Sequence, residues 1–140
     1  MQRLLAAAVA SLLFVGTGLS SALAQEGFRS PTGNIHCQFF NSDGEAVIRC
    51  DLRQVSNRSM PRPRDCEQDF GQAFEISTRA TRGMPLCSGD TVQDNRLPVL
   101  AYDQSWKRGG LVCVSERAGV TCRNADGHGF VVSRAAQRVF

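Results

Sequence analysis

The positions of the cysteines constrain the fold of this chain more than any other feature. The 140-residue sequence contains six cysteines, at positions 37, 50, 66, 87, 113 and 122. An even number of cysteines in a small exported chain predicts a disulfide framework. Six cysteines allow many pairings, so the pairing has to be inferred from their spacing.

Cys37 and Cys50 flank a predicted hairpin. Two strand-like runs, residues 34–40 and 45–52, are separated by Asn41-Ser42-Asp43-Gly44. Asp-Gly is a preferred two-residue hairpin turn. A hairpin that closes on Asp43 and Gly44 places Cys37 directly opposite Cys50, in a non-hydrogen-bonded pair where side chains come closest. The spacing therefore predicts a Cys37–Cys50 disulfide.

A second hairpin is predicted near the carboxyl end. Residues 111–115 and 120–124 flank Glu116-Arg117-Ala118-Gly119. A four-residue loop closing on Gly119 pairs position 115 with 120, and hence Cys113 with Cys122. Cys66 and Cys87 then remain for each other. The rival interpretation, a thiolate metal site, lacks a CxxC pair and suits a reducing compartment, so no metal and no cofactor is predicted.

The first 24 residues have the pattern of a secretory signal peptide. Arg3 precedes an apolar run over residues 4–15, and Ala22-Leu23-Ala24 forms an A-x-A cleavage site. The run is too short for a membrane span, and the residue directly after the cleavage site is Gln25, not a cysteine that could carry a lipid. We expect a signal peptide at 1–24 and a single disulfide-rich β domain at 25–140. The mature domain should be exported, either periplasmic or secreted, with no membrane span.

The charge of the chain argues against a nucleic-acid partner. The formal net charge is +3, and removal of Arg3 with the signal peptide leaves +2. Dedicated nucleic-acid binders normally show a strongly basic face. No nucleic-acid partner is therefore favoured.

Between the hairpins the pattern is weaker but still indicates β structure. Residues 53–63 are polar and contain two prolines, which predicts an exposed connection. Residues 73–80 predict a strand with Phe74 and Ile76 on one face, and residues 91–102 suit an edge strand because Pro98 cannot donate to a ladder. Residues 135–140 suggest a short helical turn with Ser133 as its cap. The predicted fold is all-β, a small disulfide-stapled antiparallel sandwich or partly open barrel.

Residues 119–133, GVTCRNADGHGFVVS, hold the densest group of reactive and turn-forming residues. A strand, a glycine-bracketed turn and a second strand are expected here. Loops on stiff sheets commonly carry recognition residues. The candidate binding residues are those of this turn together with an aromatic pair four residues apart, for which burial is the expected state: Arg123, Asn124, Asp126, His128, Tyr102 and Trp106.

Catalysis is the alternative to binding. His36 and His128 are the two histidines of the chain, and with Arg123 they could act as acid, base and anion clamp in a nuclease-like hydrolase. The competing interpretation is that His36 points outward from a strand and that His128 serves a local turn. No GxSxG or HExxH motif and no telling acidic pair occurs. Asn124 and Asp126 offer too few carboxylates for calcium, so a plain turn is expected.

Three segments carry a family resemblance. Residues 28–37 (FRSPTGNIHC), then Leu100-Ala101-Tyr102 with Trp106 and Cys113, then GVTCRN and GHGF through Ser133-Arg134, resemble a family of small exported bacterial proteins of unknown function. The resemblance implies export and fold type. At Asp103 the chain departs from the pattern, because a glycine is expected after the tyrosine.

The function expected from these patterns is a non-catalytic binding or interaction module in the cell envelope or outside the cell. Its partner would be an envelope or extracellular protein or polysaccharide. Two alternatives stay open. One is the small secreted hydrolase that uses His36 and His128, and the other is a periplasmic inhibitor of a cell-wall enzyme, a comparison based on size and fold class.

Overall fold

The computed structural model describes residues 26–140, so the predicted signal peptide lies outside the described residues. Two five-stranded antiparallel sheets form the domain. Sheet I contains, in order, β1 (Gly27–Arg29), β2 (Ile35–Ser42), β3 (Glu45–Leu52), β4 (Asp69–Ser77) and β5 (Met84–Ser88). Sheet II has the order β10-β9-β8-β7-β6, with β6 (Ser105–Arg108), β7 (Leu111–Glu116), β8 (Gly119–Arg123), β9 (Gly129–Val132) and β10 (Gln137–Val139).

The all-β prediction is confirmed, and the two separate sheets give a sandwich rather than a closed barrel. No helix that could span a membrane occurs within residues 26–140. The predicted helical turn at the carboxyl end is wrong. Residues 137–139 instead form β10, which pairs with β9. The Ser133 hydroxyl accepts a hydrogen bond from the Ala136 N–H, so it holds a hairpin turn where a helix cap had been expected.

Both predicted cysteine hairpins have the expected register. Cys37 pairs with Cys50 and Cys113 with Cys122, and each pair is disulfide-bonded. Asp43 and Gly44 form the first turn with φ of 50° and 77°, the left-handed values that a two-residue hairpin turn requires. The second loop is shorter than expected, because Glu116 pairs with Gly119 and only two residues lie between them. The third disulfide, Cys66–Cys87, is also as predicted.

The core lies between the two sheets. Alternate residues of each strand point inward, as the two-residue period of a strand requires, and the two hairpin disulfides lie among them. Cys50 Sγ of sheet I and Cys122 Sγ of sheet II are 3.8 Å apart, so the two disulfides are in contact across the sandwich. The largest fully buried apolar side chains are Phe28, Ile48, Leu52, Phe74, Ile76, Leu111, Val120, Phe130 and Val132.

The strand predicted from residues 73–80 is confirmed. Phe74 and Ile76 are buried on one face, and the strand both begins earlier than expected, at Asp69, and ends earlier, at Ser77. Residues 53–63 are mostly exposed, as predicted. The edge strand expected within residues 91–102 is reduced to one parallel bridge between Arg29 and Val99, because Pro98 contributes a carbonyl but no N–H.

Residues 89–99, named the strap here, follow β5 and cover part of the outer face of sheet I. The Gln38 side chain donates to the Val92 carbonyl at 2.9 Å. The Asp51 carboxylate accepts from the Thr91 hydroxyl at 2.9 Å and from the Val92 N–H at 3.0 Å. Gln38 and Asp51 point away from the core, since they alternate with inward residues. The strap therefore gives sheet I a covered outer face.

Candidate functional site

The turn that joins β8 and β9 is held together by the side chain of Asn124. Its Oδ1 accepts from the backbone N–H groups of Asp126 (3.2 Å) and His128 (3.1 Å). Its Nδ2 donates to the carbonyls of Ser77 (3.1 Å) and Ala80 (2.8 Å), beyond the end of β4. Asn124 is buried, so this sequence-predicted binding residue fixes the turn and links the two sheets.

The other residues predicted at this turn remain at the surface. Arg123 and Asp126 are exposed and His128 is partly buried. The Arg123 guanidinium lies over the Phe140 ring, 5.6 Å from its centroid. These three residues line neither of the two cavities described below.

His36 points to the outer face of sheet I, because it alternates with the inward Cys37, but the strap covers it. It is fully buried, and its Nε2 donates to the Gly33 carbonyl at 2.9 Å. Its Nδ1 accepts from the Asp94 N–H at 3.1 Å. Both ring nitrogens are thus bonded to backbone groups, one in the β1–β2 turn and one in the strap.

The two histidines lie towards opposite ends of the sandwich. His36 pairs with Asp51, which pairs with Ala73 of β4. The His128 turn is bonded beside Ser77, four residues farther along β4, or about 13 Å at the rise of a strand. The structure therefore does not bring His36 into one cleft with Arg123 and His128.

The two predicted aromatic residues have different environments. Trp106 is buried, with its ring centroid 5.9 Å from that of Phe28 and 6.1 Å from that of Phe39, so its expected burial is confirmed. Tyr102 is only partly buried. Its ring lies under the Arg117 guanidinium, 4.8 Å from the ring centroid.

Tyr102 lines an open cleft of about 630 Å³. Three turns converge on it at one end of the sandwich: the β1–β2 turn, the β7–β8 turn and the β9–β10 turn. The segment after β3 supplies Arg53 and Gln54. This cleft is the candidate functional site.

The β1–β2 turn, residues 30–34, has a sequence suited to its geometry. Ser30, Pro31 and Gly33 occupy the first, second and fourth positions preferred in a type I turn. The Gly33 N–H donates to the Ser30 carbonyl at 2.9 Å, and Gly33 has a φ of 71°. The Ser30 hydroxyl also accepts from the Ile35 N–H at 3.1 Å. This wall of the cleft is therefore rigid.

Asp103 positions Tyr102 against the β7–β8 turn. The Asp103 N–H donates to the Ser115 carbonyl at 2.7 Å, and the Ser115 N–H donates to Gln104 at 3.0 Å. Asp103 has a φ of 66°, a left-handed value that glycine adopts most easily. This explains why the family pattern suggested glycine at this position.

Positive charge is concentrated in the cleft. Its charged lining residues are Arg53, Arg117, Arg134 and Glu116, a net charge of +2. Residues 25–140 as a whole also sum to +2, so the remaining surface is neutral in sum. The ion pairs seen within residues 26–140 do not involve these four side chains.

The arginines are held without being neutralised. Arg53 donates to the Asn95 side-chain oxygen at 2.7 Å. The Arg134 carbonyl accepts from the Ser56 N–H at 2.9 Å, which fixes the β9–β10 turn. A guanidinium has five N–H donors in its plane, so each of the three retains donors for an anionic ligand.

A smaller cavity of about 270 Å³ lies beside the strap and is lined by Asp51 and Asp90. Two of its three carboxylates are already bonded, because Arg49 donates to Asp51 at 2.8 Å and to Asp90 at 2.9 Å, and the third is Asp69. Hydrogen bonds from Ser88 and from Arg49 lower the pKa of Asp90. This acidic group therefore stabilises the strap.

One group of potential metal ligands occurs among the described residues, the sulfurs of Cys37, Cys50 and Cys122. All three belong to disulfides. A disulfide sulfur is not the thiolate that a zinc site needs, so this group has no metal-site chemistry.

Arg53, Arg117 and Arg134 were not among the residues predicted for binding. Ser30, Gly33, Asn34 and Tyr102, which lie in the segments quoted for the family resemblance, also line the cleft, as do Ser133 and Arg134. The signal that could have indicated the cleft is that several of the segments that carry the family resemblance contribute residues to it. Using that signal requires knowing that the β1–β2 and β9–β10 turns lie at the same end of the sandwich.

A comparison with protein families matches residues 8–140 to a family of unknown function, DUF6636. No curated protein and no solved structure matches the chain. Because the match covers nearly the whole sequence, the chain belongs to this family of unknown function.

Proposed function

We propose that this protein is an exported, non-catalytic binding module and that the cleft is its binding site. The partner is an envelope or extracellular polysaccharide or protein. The observation that carries the proposal is the concentration, in an open cleft of about 630 Å³, of arginines that form no ion pair within residues 26–140. Small-molecule sites typically measure roughly 300–1,000 Å³.

The rigidity of the scaffold supports a binding role. Each turn around the cleft is closed by backbone or side-chain hydrogen bonds, and disulfides lie directly behind two of the contributing strand pairs. A preorganised site loses less conformational entropy when a ligand binds. Three disulfides also favour an oxidising compartment, which supports export.

The positions of the histidines favour binding over hydrolysis. His36 is buried and bonded to backbone at both ring nitrogens, and it lies about 13 Å along β4 from the His128 turn. A general acid and a general base must both reach the reacting atoms. The inhibitor alternative remains a form of binding, and no specific contact favours it.

The test uses the mature domain, residues 25–140, with its disulfides formed. Binding to envelope polysaccharide and protein fractions would be measured for the wild type, for an Arg117→Glu/Arg134→Glu variant and for an Arg123→Glu/His128→Ala variant. We expect binding to be lost in the first variant and kept in the second. Loss confined to the second variant would move the site to the β8–β9 turn and overturn the assignment to the cleft.

Hydrolysis is tested separately with purified protein and RNA. We expect no cleavage. Cleavage by the wild type that disappears in His128→Ala would contradict a non-catalytic role. His128 is suited to this test because its side chain does not hold the fold together, whereas His36 is bonded to two chain segments.

A further inference from the structure

The ligand chemistry of the cleft can be specified further, on the basis of the function proposed above. We infer that the cleft binds a carboxylated polysaccharide, with successive uronate groups pairing with Arg117, Arg134 and Arg53. The argument rests on the spacing of these arginines, on how each guanidinium is presented, and on the remaining side chains that line the cleft.

The arginines are spaced for a ligand with several anionic groups. Arg117 lies in the turn between β7 and β8, and Arg134 in the turn between β9 and β10. In sheet II these two turns are two strand spacings apart, which is about 10 Å. Arg53 follows β3 of sheet I, and packed sheets are also separated by about 10 Å. Three backbone positions this far apart suit a chain of carboxylates better than one small ion.

Each guanidinium is oriented with free donors. The Arg117 guanidinium carbon lies over the Tyr102 ring, 4.8 Å from its centroid, and within residues 26–140 the Arg117 side chain forms no ion pair. Arg53 uses one N–H for Asn95. Paired in-plane N–H groups match the two oxygens of a carboxylate.

The rest of the lining suits a sugar better than a peptide. Ile35 is the one large aliphatic side chain of the lining, and it is buried. Peptide partners are usually anchored by apolar or aromatic side chains in desolvated pockets, and this cleft offers no exposed aliphatic pocket for one. It offers the hydroxyls of Thr32 and Ser133, the amide of Gln54 and the ring of Tyr102. An aromatic ring with a polar edge suits a sugar, which has apolar and hydroxylated faces.

The probe is a set of oligogalacturonates, measured by calorimetry at low salt with the disulfide-bonded domain. Affinity should rise from the monomer to oligomers long enough to reach two arginines, because the second contact is intramolecular. The same oligomers with their carboxylates methyl-esterified are the matched neutral ligands. Esterification should abolish binding, and added salt should weaken binding of the free acid.

Two arginine substitutions and a control variant test whether the oligomers bind in the cleft. Arg117→Gln and Arg134→Gln should each weaken binding about tenfold, because each removes a charge-assisted pair. Arg82→Gln/Arg138→Gln is the matched control, since both arginines are exposed and lie outside the cleft. It should bind as the wild type does.

Several outcomes would overturn the inference. Equal binding of the esterified oligomers would indicate a neutral-sugar site. Preference for poly-glutamate, for sulfated glycan or for nucleic acid over oligogalacturonate would assign the cleft to another polyanion. If oligogalacturonates fail while Arg117→Glu/Arg134→Glu still abolishes retention of envelope material, this ligand is wrong and the proposed function stands. If Arg117→Glu/Arg134→Glu retains the same envelope material as the wild type, the proposed function is wrong as well.

Discussion

At the scale of single residues, backbone conformation explains the departure from the family pattern. Asp103 occupies a left-handed conformation with a φ of 66°. Such a conformation costs an L-residue roughly 1–2 kcal/mol, and aspartate tolerates it better than most. The strain is retained because two backbone hydrogen bonds hold the segment against β7, where Tyr102 meets Arg117.

We predict that Asp103→Gly raises the free energy of unfolding by about 0.5–1 kcal/mol. Relief of the left-handed strain exceeds the added flexibility of the unfolded chain. Urea unfolding monitored by Trp106 fluorescence would measure the change. Asp65→Gly is the control, because Asp65 is exposed and has no positive φ. It should destabilise slightly, and a loss of stability in Asp103→Gly would contradict the assignment.

The environment of Glu75 predicts how the stability of the domain depends on pH. Glu75 is partly buried on sheet I opposite Arg49. Burial raises the pKa of Glu75 above 4.5, although the charge of Arg49 opposes the shift. The folded state therefore favours the protonated form. Ionised Glu75 costs stability above its folded-state pKa, and this cost is absent below about pH 4.5.

Glu75→Gln should therefore raise the melting temperature at pH 7, and its advantage should disappear near pH 4. Thermal unfolding of the wild type and of the variant at both pH values measures this. Glu67→Gln, at an exposed position, controls for the change in net charge. An advantage that persists unchanged at pH 4 would exclude the burial of Glu75 as its cause.

At the scale of elements, the conformation of a hairpin is specified by the residues of its own turn, whereas the conformation of a longer connection such as the strap depends on residues far away in the sequence. Asp43 and Gly44 specify their turn through their own backbone preferences, and the register of both cysteine pairs follows from such turns. The strap has no comparable local pattern. Its position is fixed by hydrogen bonds from sheet I, made by His36, Gln38 and Asp51. These residues lie 58, 54 and 41 positions before their partners in the strap.

The Cys37–Cys50 and Cys66–Cys87 disulfides should contribute differently to the stability of the domain. The Cys66–Cys87 disulfide closes the longer loop, with a sequence separation of 21 against 13 for Cys37–Cys50. Loop entropy alone makes the two worth a similar amount, about 3 kcal/mol. Cys37 and Cys50 are fully buried, however, so their removal also leaves a core cavity.

We therefore expect Cys37→Ala/Cys50→Ala to destabilise the domain by more than Cys66→Ala/Cys87→Ala, despite its shorter loop. Denaturant unfolding under non-reducing conditions would rank the two variants. The opposite ranking would show that loop closure outweighs packing in this domain.

At the scale of the whole molecule, the sequence predicted the β class, the three disulfides and the register of two hairpins, because each depends on short-range rules. It did not predict which turns share one end of the sandwich. That arrangement depends on the strand order of both sheets. For this reason the sequence points to the β8–β9 turn, where Asn124 is structural, and does not point to Arg53, Arg117 and Arg134 of the proposed site.

The contact between the two hairpin disulfides has a consequence for the order of assembly. Cys37, Cys50, Cys113 and Cys122 are all inaccessible once the sheets have closed, so an oxidant cannot reach them in the finished domain. We therefore expect each hairpin to acquire its covalent bond while the two halves are still apart, and closure to shield both bonds from later reductants. On this expectation, oxidation of the hairpins precedes formation of the core.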